Sequence, residues 1–134
     1  MTLYLDSSAF IRRYVREDDR DTVEALVLAD PDWVTARHTF AEVVLALHHR
    51  LDEADWGTAR EAFDRDWDRS YIVSLDDSVC RRAAEIGVAA RVRTLDALHL
   101  AAADRAGGRS IPIVTFDVRL GVAARALGFS VIGT

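Results

Sequence analysis

Lysine is absent, and all 17 basic side chains are arginine. No Gly-x-x-x-x-Gly-Lys stretch is therefore present, and P-loop nucleotide chemistry is excluded. The one cysteine, Cys80, cannot close an internal disulfide and has no second cysteine for a zinc site. Surrounded by helix formers, it is expected to be a small buried hydrophobe. No apolar run approaches the length of a membrane span. Met1 leads straight into a strand pattern without the marks of a leader peptide, so a cytoplasmic location without membrane contact is expected. Proline and glycine are scarce, at 2 and 7 residues, while half the residues are hydrophobic, which excludes disordered and fibrous classes. The net charge of −5 argues against diffuse binding of nucleic acid over the whole surface, but not against a local site.

What is present is enough for one domain over residues 1–134, which would bury about 70% of its unfolded surface. Five short apolar and β-branched runs read as strands, at 3–5, 33–36, 71–75, 111–116 and 129–132. Helical periods lie between them. Val23, Leu26 and Val27 form one stripe, and Trp56, Ala59, Phe63 and Trp67 another. Residues 37–51 are apolar on nearly every side; 77–91, 94–106 and 118–127 complete the set, with Gly107-Gly108 and Gly128 as stops. Strands that alternate with helices imply a single α/β domain with a five-stranded, mainly parallel sheet covered on both faces. In such sheets ligands bind beyond the carboxyl ends of the strands.

Two strands end on aspartate there: "LYLD" on Asp6 and "IVTFD" on Asp117. Each has an ordinary explanation as a helix N-cap. Asp96 in "RTLDALHLAAA" falls in a first turn, where the helix dipole favours negative charge, with Thr94 as the better cap. Glu42 interrupts the apolar "TFAEVVLAL" mid-helix and is either solvated or faces a cleft. If the four converge, with Ser8 and Thr115 as neutral hydroxyls, each pair at about 5 Å costs about 3 kcal/mol at an effective dielectric near 20. A cation or raised pKa values must then compensate. Oxygen ligands favour Mg²⁺ or Mn²⁺, and a water made more acidic by such an ion can attack phosphorus. The chemistry suggested is phosphodiester hydrolysis.

"LYLDSSAFIRRYVRE", "TFAEV", "DALHLAAA" and "IVTFDVRL", in this order and spanning the chain, resemble a PIN-domain nuclease, more narrowly a VapC-type toxin of a toxin–antitoxin pair. The resemblance implies a PIN fold and a Mg²⁺- or Mn²⁺-dependent endoribonuclease. Its catalytic and metal-binding acids would match Asp6, Glu42, Asp96 and Asp117, with Ser8 and Thr115 in support. It also implies an RNA substrate, a small VapB-type antitoxin that blocks the site, and a homodimer. The approach to the third acid, "ARVRTLDAL", is shorter than the family's often glycine-containing one.

Receiver domains and haloacid-dehalogenase-type phosphohydrolases share a carboxylate cluster, but both need a lysine, and the latter an aspartate where Ser8 stands. The alternatives left are another Mg²⁺-dependent phosphohydrolase and a non-catalytic PIN-like binding module whose acids only cap helices. Of the histidines, His38, His48 and His49 lie on or near one helix without forming an i, i+4 histidine pair, and His99 stands one turn after Asp96 with a structural or supporting role. Arg12, Arg13 and Arg16 follow Asp6, and Arg91 and Arg93 precede Asp96. Most are expected to be solvated, though arginine's planar fork suits phosphate.

Overall fold

The structure is a computed structural model that describes residues 2–15, 21–30 and 32–134, leaving aside the side chains of 21 and 22. Five strands, β1 (Thr2–Leu5), β2 (Asp32–Ala36), β3 (Tyr71–Val73), β4 (Ile113–Val114) and β5 (Val131–Ile132), form one sheet in the order β3-β2-β1-β4-β5. Every pairing is parallel, so the expectation of a mainly parallel sheet holds without exception. The chain moves outward from β1 through β2 to β3, then returns to add β4 and β5 on the other side. The strand order thus reverses between β1 and β4, at the crevice where such sheets receive ligands.

Pleating divides the core. Along β1, Leu3 and Leu5 point to one layer and Tyr4 to the other, all at most 3% exposed. The first layer holds α1 (Ser7–Tyr14), α2 (Asp21–Ala29), α3 (Thr39–Arg50) and α4 (Glu53–Arg69). The second holds α5 (Asp77–Ala90), α6 (Thr94–Gly107) and α7 (Val118–Ala126). In the first, Phe63 is fully buried, with its ring centroid 5.6–5.9 Å from those of Phe10, Tyr14, Phe40 and Trp67. Beside it Asp66 ties α4 to α1: its Oδ2 accepts from Arg13 Nε at 3.1 Å, Arg13 Nη2 at 2.9 Å and the Tyr14 hydroxyl at 2.5 Å.

Several local expectations change. Strand β4 is shorter than 111–116 because Pro112 has no N–H to donate, although its carbonyl still accepts from Tyr4 N at 2.9 Å. Helix α3 starts at Thr39, which puts Glu42 in its first turn rather than mid-helix. At α6 the N-cap residue is Arg93, without a side-chain cap bond, and Thr94 is the first helical residue. Leu26 is 52% exposed, so the α2 stripe is Val23 and Val27. Cys80 is exposed, since the buried face of α5 is made by Val79, Ala83 and Ile86. Arg13 is an ion-paired strut rather than a solvated cation, the Arg12 guanidinium lies 4.0 Å from the centre of the Phe116 ring, and Arg16 falls outside the described residues. Gly108 and Gly128 do take positive φ, 60° and 91°, as stops for α6 and α7.

The ring cluster predicts that Phe63→Ala lowers stability by about 3–5 kcal/mol, as large aromatic truncations in packed cores do. Urea unfolding should show a clearly lower midpoint, and a midpoint equal to wild type would contradict the packing described.

Candidate active site

Parallel strands carry all their carboxyl ends to one edge, and Asp6 stands there at the end of β1, beside β4 across the crevice. It is 2% exposed, and both its oxygens accept hydrogen bonds. Oδ1 accepts from Ser8 Oγ at 2.6 Å and from the Ala9 amide at 2.9 Å, so Asp6 is the N-cap of α1. Oδ2 accepts from Thr115 Oγ1 at 2.5 Å. Ser8 Oγ in turn accepts from the Phe116 amide at 2.8 Å, and Thr115 Oγ1 from the Asp117 amide at 3.0 Å. Ser8 and Thr115 thereby join the ends of β1 and β4. Burial raises the pKa of Asp6 despite the nearby His99 and these hydrogen bonds, which favour the charged form.

Asp117 follows β4 and caps α7, accepting from the amides of Arg119 at 2.9 Å and Leu120 at 3.3 Å. The capping reading of both aspartates is thus correct, and it leaves their other role open. Asp96, in the first turn of α6, is half-buried. Its pKa is raised first by burial and then by the charge of Asp117, with a smaller contribution from Asp6, against the pull of His99 and Arg93. Asp96 therefore feels the charges of both Asp117 and Asp6. Hard carboxylate oxygens in such a place fit a cation of the Mg²⁺ or Mn²⁺ kind.

Glu42 is differently placed. Its Oε1 lies 2.8 Å from His99 Nε2 and 3.5 Å from His38 Nε2. Although burial opposes it, the bond from His99 and the charges of both imidazoles hold its pKa below the usual carboxylate value, with help from the Ser7 hydroxyl. His99 is 3% exposed, and its other nitrogen, Nδ1, meets the Tyr4 hydroxyl at 2.8 Å. Tyr4 on β1, His99 on α6 and Glu42 on α3 thus form a chain across the top of the sheet. Burial, and then His99, lower the pKa of His38 to about 4 against the pull of Glu42. Among the described residues, the ligand atoms of His38, Glu42 and His99 all lie within 4.8 Å of one another, and no three of the four acids do. Glu42 thus meets the imidazoles of His99 and His38 directly.

Sequence reasoning missed His38 and Tyr4. The i, i+4 spacing of His38 and Glu42 is legible, although as a mixed pair it lacks the histidine–histidine pattern that marks a metal site in sequence. Tyr4 carries no signal beyond its strand. Beside Asp96, Arg91, Arg93 and Arg119 line an open groove of about 490 Å³ with Val118 and Val122.

The PIN domain profile matches residues 3–126. Ribonuclease VapC46 of Mycobacterium tuberculosis is 35% identical over 130 residues, covering 97% of this chain and 95% of that protein. Among solved structures, Mycobacterium tuberculosis VapC20, described as a Sarcin-Ricin loop cleaving toxin, superposes with a TM-score of 0.74 at 20% identity and covers 98% of each chain. VapBC-5 of the same organism, a member of the VapBC family of toxin-antitoxin systems, gives 0.69 at 20% identity, over 99% of this chain and 98% of that one. With this profile match and this relative, the chain belongs to the PIN domain family.

Proposed function

We propose that this chain is a metal-dependent endoribonuclease acting as the toxin of a toxin–antitoxin pair, with Asp6, Asp96, Asp117 and Glu42 as its metal-binding and catalytic acids. The observation that carries the reading is the groove in which Asp96, coupled to Asp117 and Asp6, lies beside three arginines. An acidic protein that holds RNA needs its cations next to the reacting centre, and guanidinium forks match phosphate oxygens. A bound Mg²⁺ or Mn²⁺ would supply a Lewis acid for the phosphate and acidify a water.

The chain's own residues do the positioning. Ser8, Thr115 and the Ala9 amide fix both oxygens of Asp6 before any ligand arrives, so little ordering is left for binding. Asp96 and Asp117 add carboxylate oxygens, and burial with the charge of Asp117 raises the pKa of Asp96. Glu42 is steered by His99. Arg91, Arg93 and Arg119 hold the RNA backbone, a contact that confers affinity without sequence choice. Such an activity belongs in the cytoplasm, where its substrate is. A binding module would keep the two aspartate caps but would have no use for the raised pKa of Asp96, and RNA cleavage separates the two readings.

A VapB-type antitoxin and a second copy of the chain are the proposed protein partners. Val88, Val118 and Val122 are 83%, 67% and 62% exposed, and Leu45 on α3 is 59% exposed, apolar surface that partners would cover. The described residues contain no helix long and apolar enough to cross a membrane.

Asp6→Asn and Asp96→Asn should keep the fold by circular dichroism and lower Mn²⁺-supported RNA cleavage at least about a hundredfold. Undiminished cleavage in EDTA would sink the mechanism. Arg93→Gln should instead raise KM and flatten its salt dependence while leaving kcat nearly unchanged. Light scattering should give twice the 14.9 kDa chain mass.

The raised acids also set a pH dependence. A carboxylate with a folded pKa above its unfolded value, about 3.9 for Asp, stabilises the fold fully below that value and loses the contribution as pH rises through the folded pKa. Asp6 and Asp96 both have this sign. In EDTA, Asp96→Asn should therefore melt higher than wild type at pH 7 and converge with it toward pH 4. Mn²⁺ should raise the melting temperature of wild type more than that of the variant. A variant that melts below wild type at pH 7 in EDTA would show that Asp96 is stabilising as a charge, contrary to its surroundings.

A further inference from the structure

We infer that His38, Glu42 and His99 form a second metal site, of the two-histidine, one-carboxylate kind, that selects Zn²⁺ and draws Glu42 away from the Mg²⁺-type acids. The three ligand atoms, His38 Nε2, Glu42 Oε1 and His99 Nε2, converge from α3 and α6 within 4.8 Å of one another. Tetrahedral zinc at about 2.0–2.1 Å from its ligands separates them by about 3.4 Å. The His38–Glu42 distance of 3.5 Å already meets this, and the His99–Glu42 distance of 2.8 Å requires an opening of about half an ångström. Two imidazole nitrogens with one carboxylate suit Zn²⁺ and are poor ligands for Mg²⁺, which demands oxygen.

One of the two histidines, His99, is held as a supported ligand is. A metal-bound histidine usually directs its other nitrogen to a hydrogen-bond partner that fixes the ring, and His99 Nδ1 has the Tyr4 hydroxyl at 2.8 Å. Tyr4 can accept as well as donate, so it serves the tautomer with the proton on Nδ1 that metal binding at Nε2 requires. In the metal-free chain His38 Nε2 lies 3.3 Å from the Leu95 carbonyl, a contact that a ligand bond would replace. Its Nδ1 is buried without a protein partner.

Glu42 belongs to both sets. On the nuclease reading above, Zn²⁺ at the histidines therefore inhibits cleavage supported by Mg²⁺, and a metal that the oxygen set binds weakly acts as a regulator.

The test begins with binding to the full chain, stripped with EDTA and dialysed against excess Mg²⁺. One equivalent of Zn²⁺ should be retained, and Co²⁺ should give the intense visible absorption of a four-coordinate nitrogen–oxygen site. His38→Gln and His99→Gln, each checked for folding by circular dichroism, should weaken Zn²⁺ binding more than about a hundredfold. Tyr4→Phe, which removes only the orienting partner, should weaken it by about 10–100-fold. Asp96→Asn should bind Zn²⁺ as wild type does. Wild type that retains no Zn²⁺ in Mg²⁺ overturns the site, whether or not the variants fold, as does binding that His38→Gln leaves intact or Asp96→Asn abolishes. Zn²⁺ should also inhibit RNA cleavage in Mg²⁺ at concentrations that fill the site. Zn²⁺ binding without any cleavage would count against the nuclease reading and leave the metal site standing.

Discussion

Asp6 is a carboxylate with almost no contact with water, and much of the sheet's ligand edge is arranged around keeping it there. A buried carboxylate is tolerated only when its lone pairs are filled. Here Ser8 and Ala9 from α1 fill one oxygen and Thr115 from the end of β4 fills the other, so two elements more than a hundred residues apart in sequence are joined through one side chain. The same hydroxyls then accept from the amides of Phe116 and Asp117, which fixes the backbone that leads into α7. Burial still leaves Asp6 with a raised pKa, so the network holds the carboxylate without fully neutralising its charge.

Around this centre charge is partitioned. Burial and the charges of Asp117 and Asp6 raise the pKa of Asp96 beside the arginine-lined groove, whereas the histidines hold that of Glu42 down. The division has a structural cause. His99 on α6 belongs to one helical layer and Glu42 on α3 to the other, and the Tyr4–His99–Glu42 chain bridges them over the end of β1. Thr35 contributes below it, donating to the Leu5 carbonyl at 2.6 Å and bonding Thr39 at 2.8 Å, which seats the start of α3 beside Asp6. Glu42 is consequently positioned by the sheet edge as much as by its own helix.

The fold was legible because its signals are local. Strand content, helical periodicity and the stops at Gly108 and Gly128 depend on neighbours within a few residues, and alternation of strand with helix then requires a parallel sheet. The aspartates at strand ends were legible for the same reason, as were their capping roles. Errors fell where burial is decided at a distance: Cys80 faces outward and Leu26 is half exposed, though both sit in sequences that read as apolar helix faces.

By itself, then, the sequence determined the strand and helix order and the aspartates that cap helices at the strand ends, because each is a matter of residue type and short spacing. Only the tertiary structure decided which of them meet. The order β3-β2-β1-β4-β5 sets Asp6 beside Thr115. The packing of α6 against the sheet brings His99 to Glu42 across 57 residues of chain. No local pattern encodes a contact of that kind, since it depends on how two layers of helices close over one strand end.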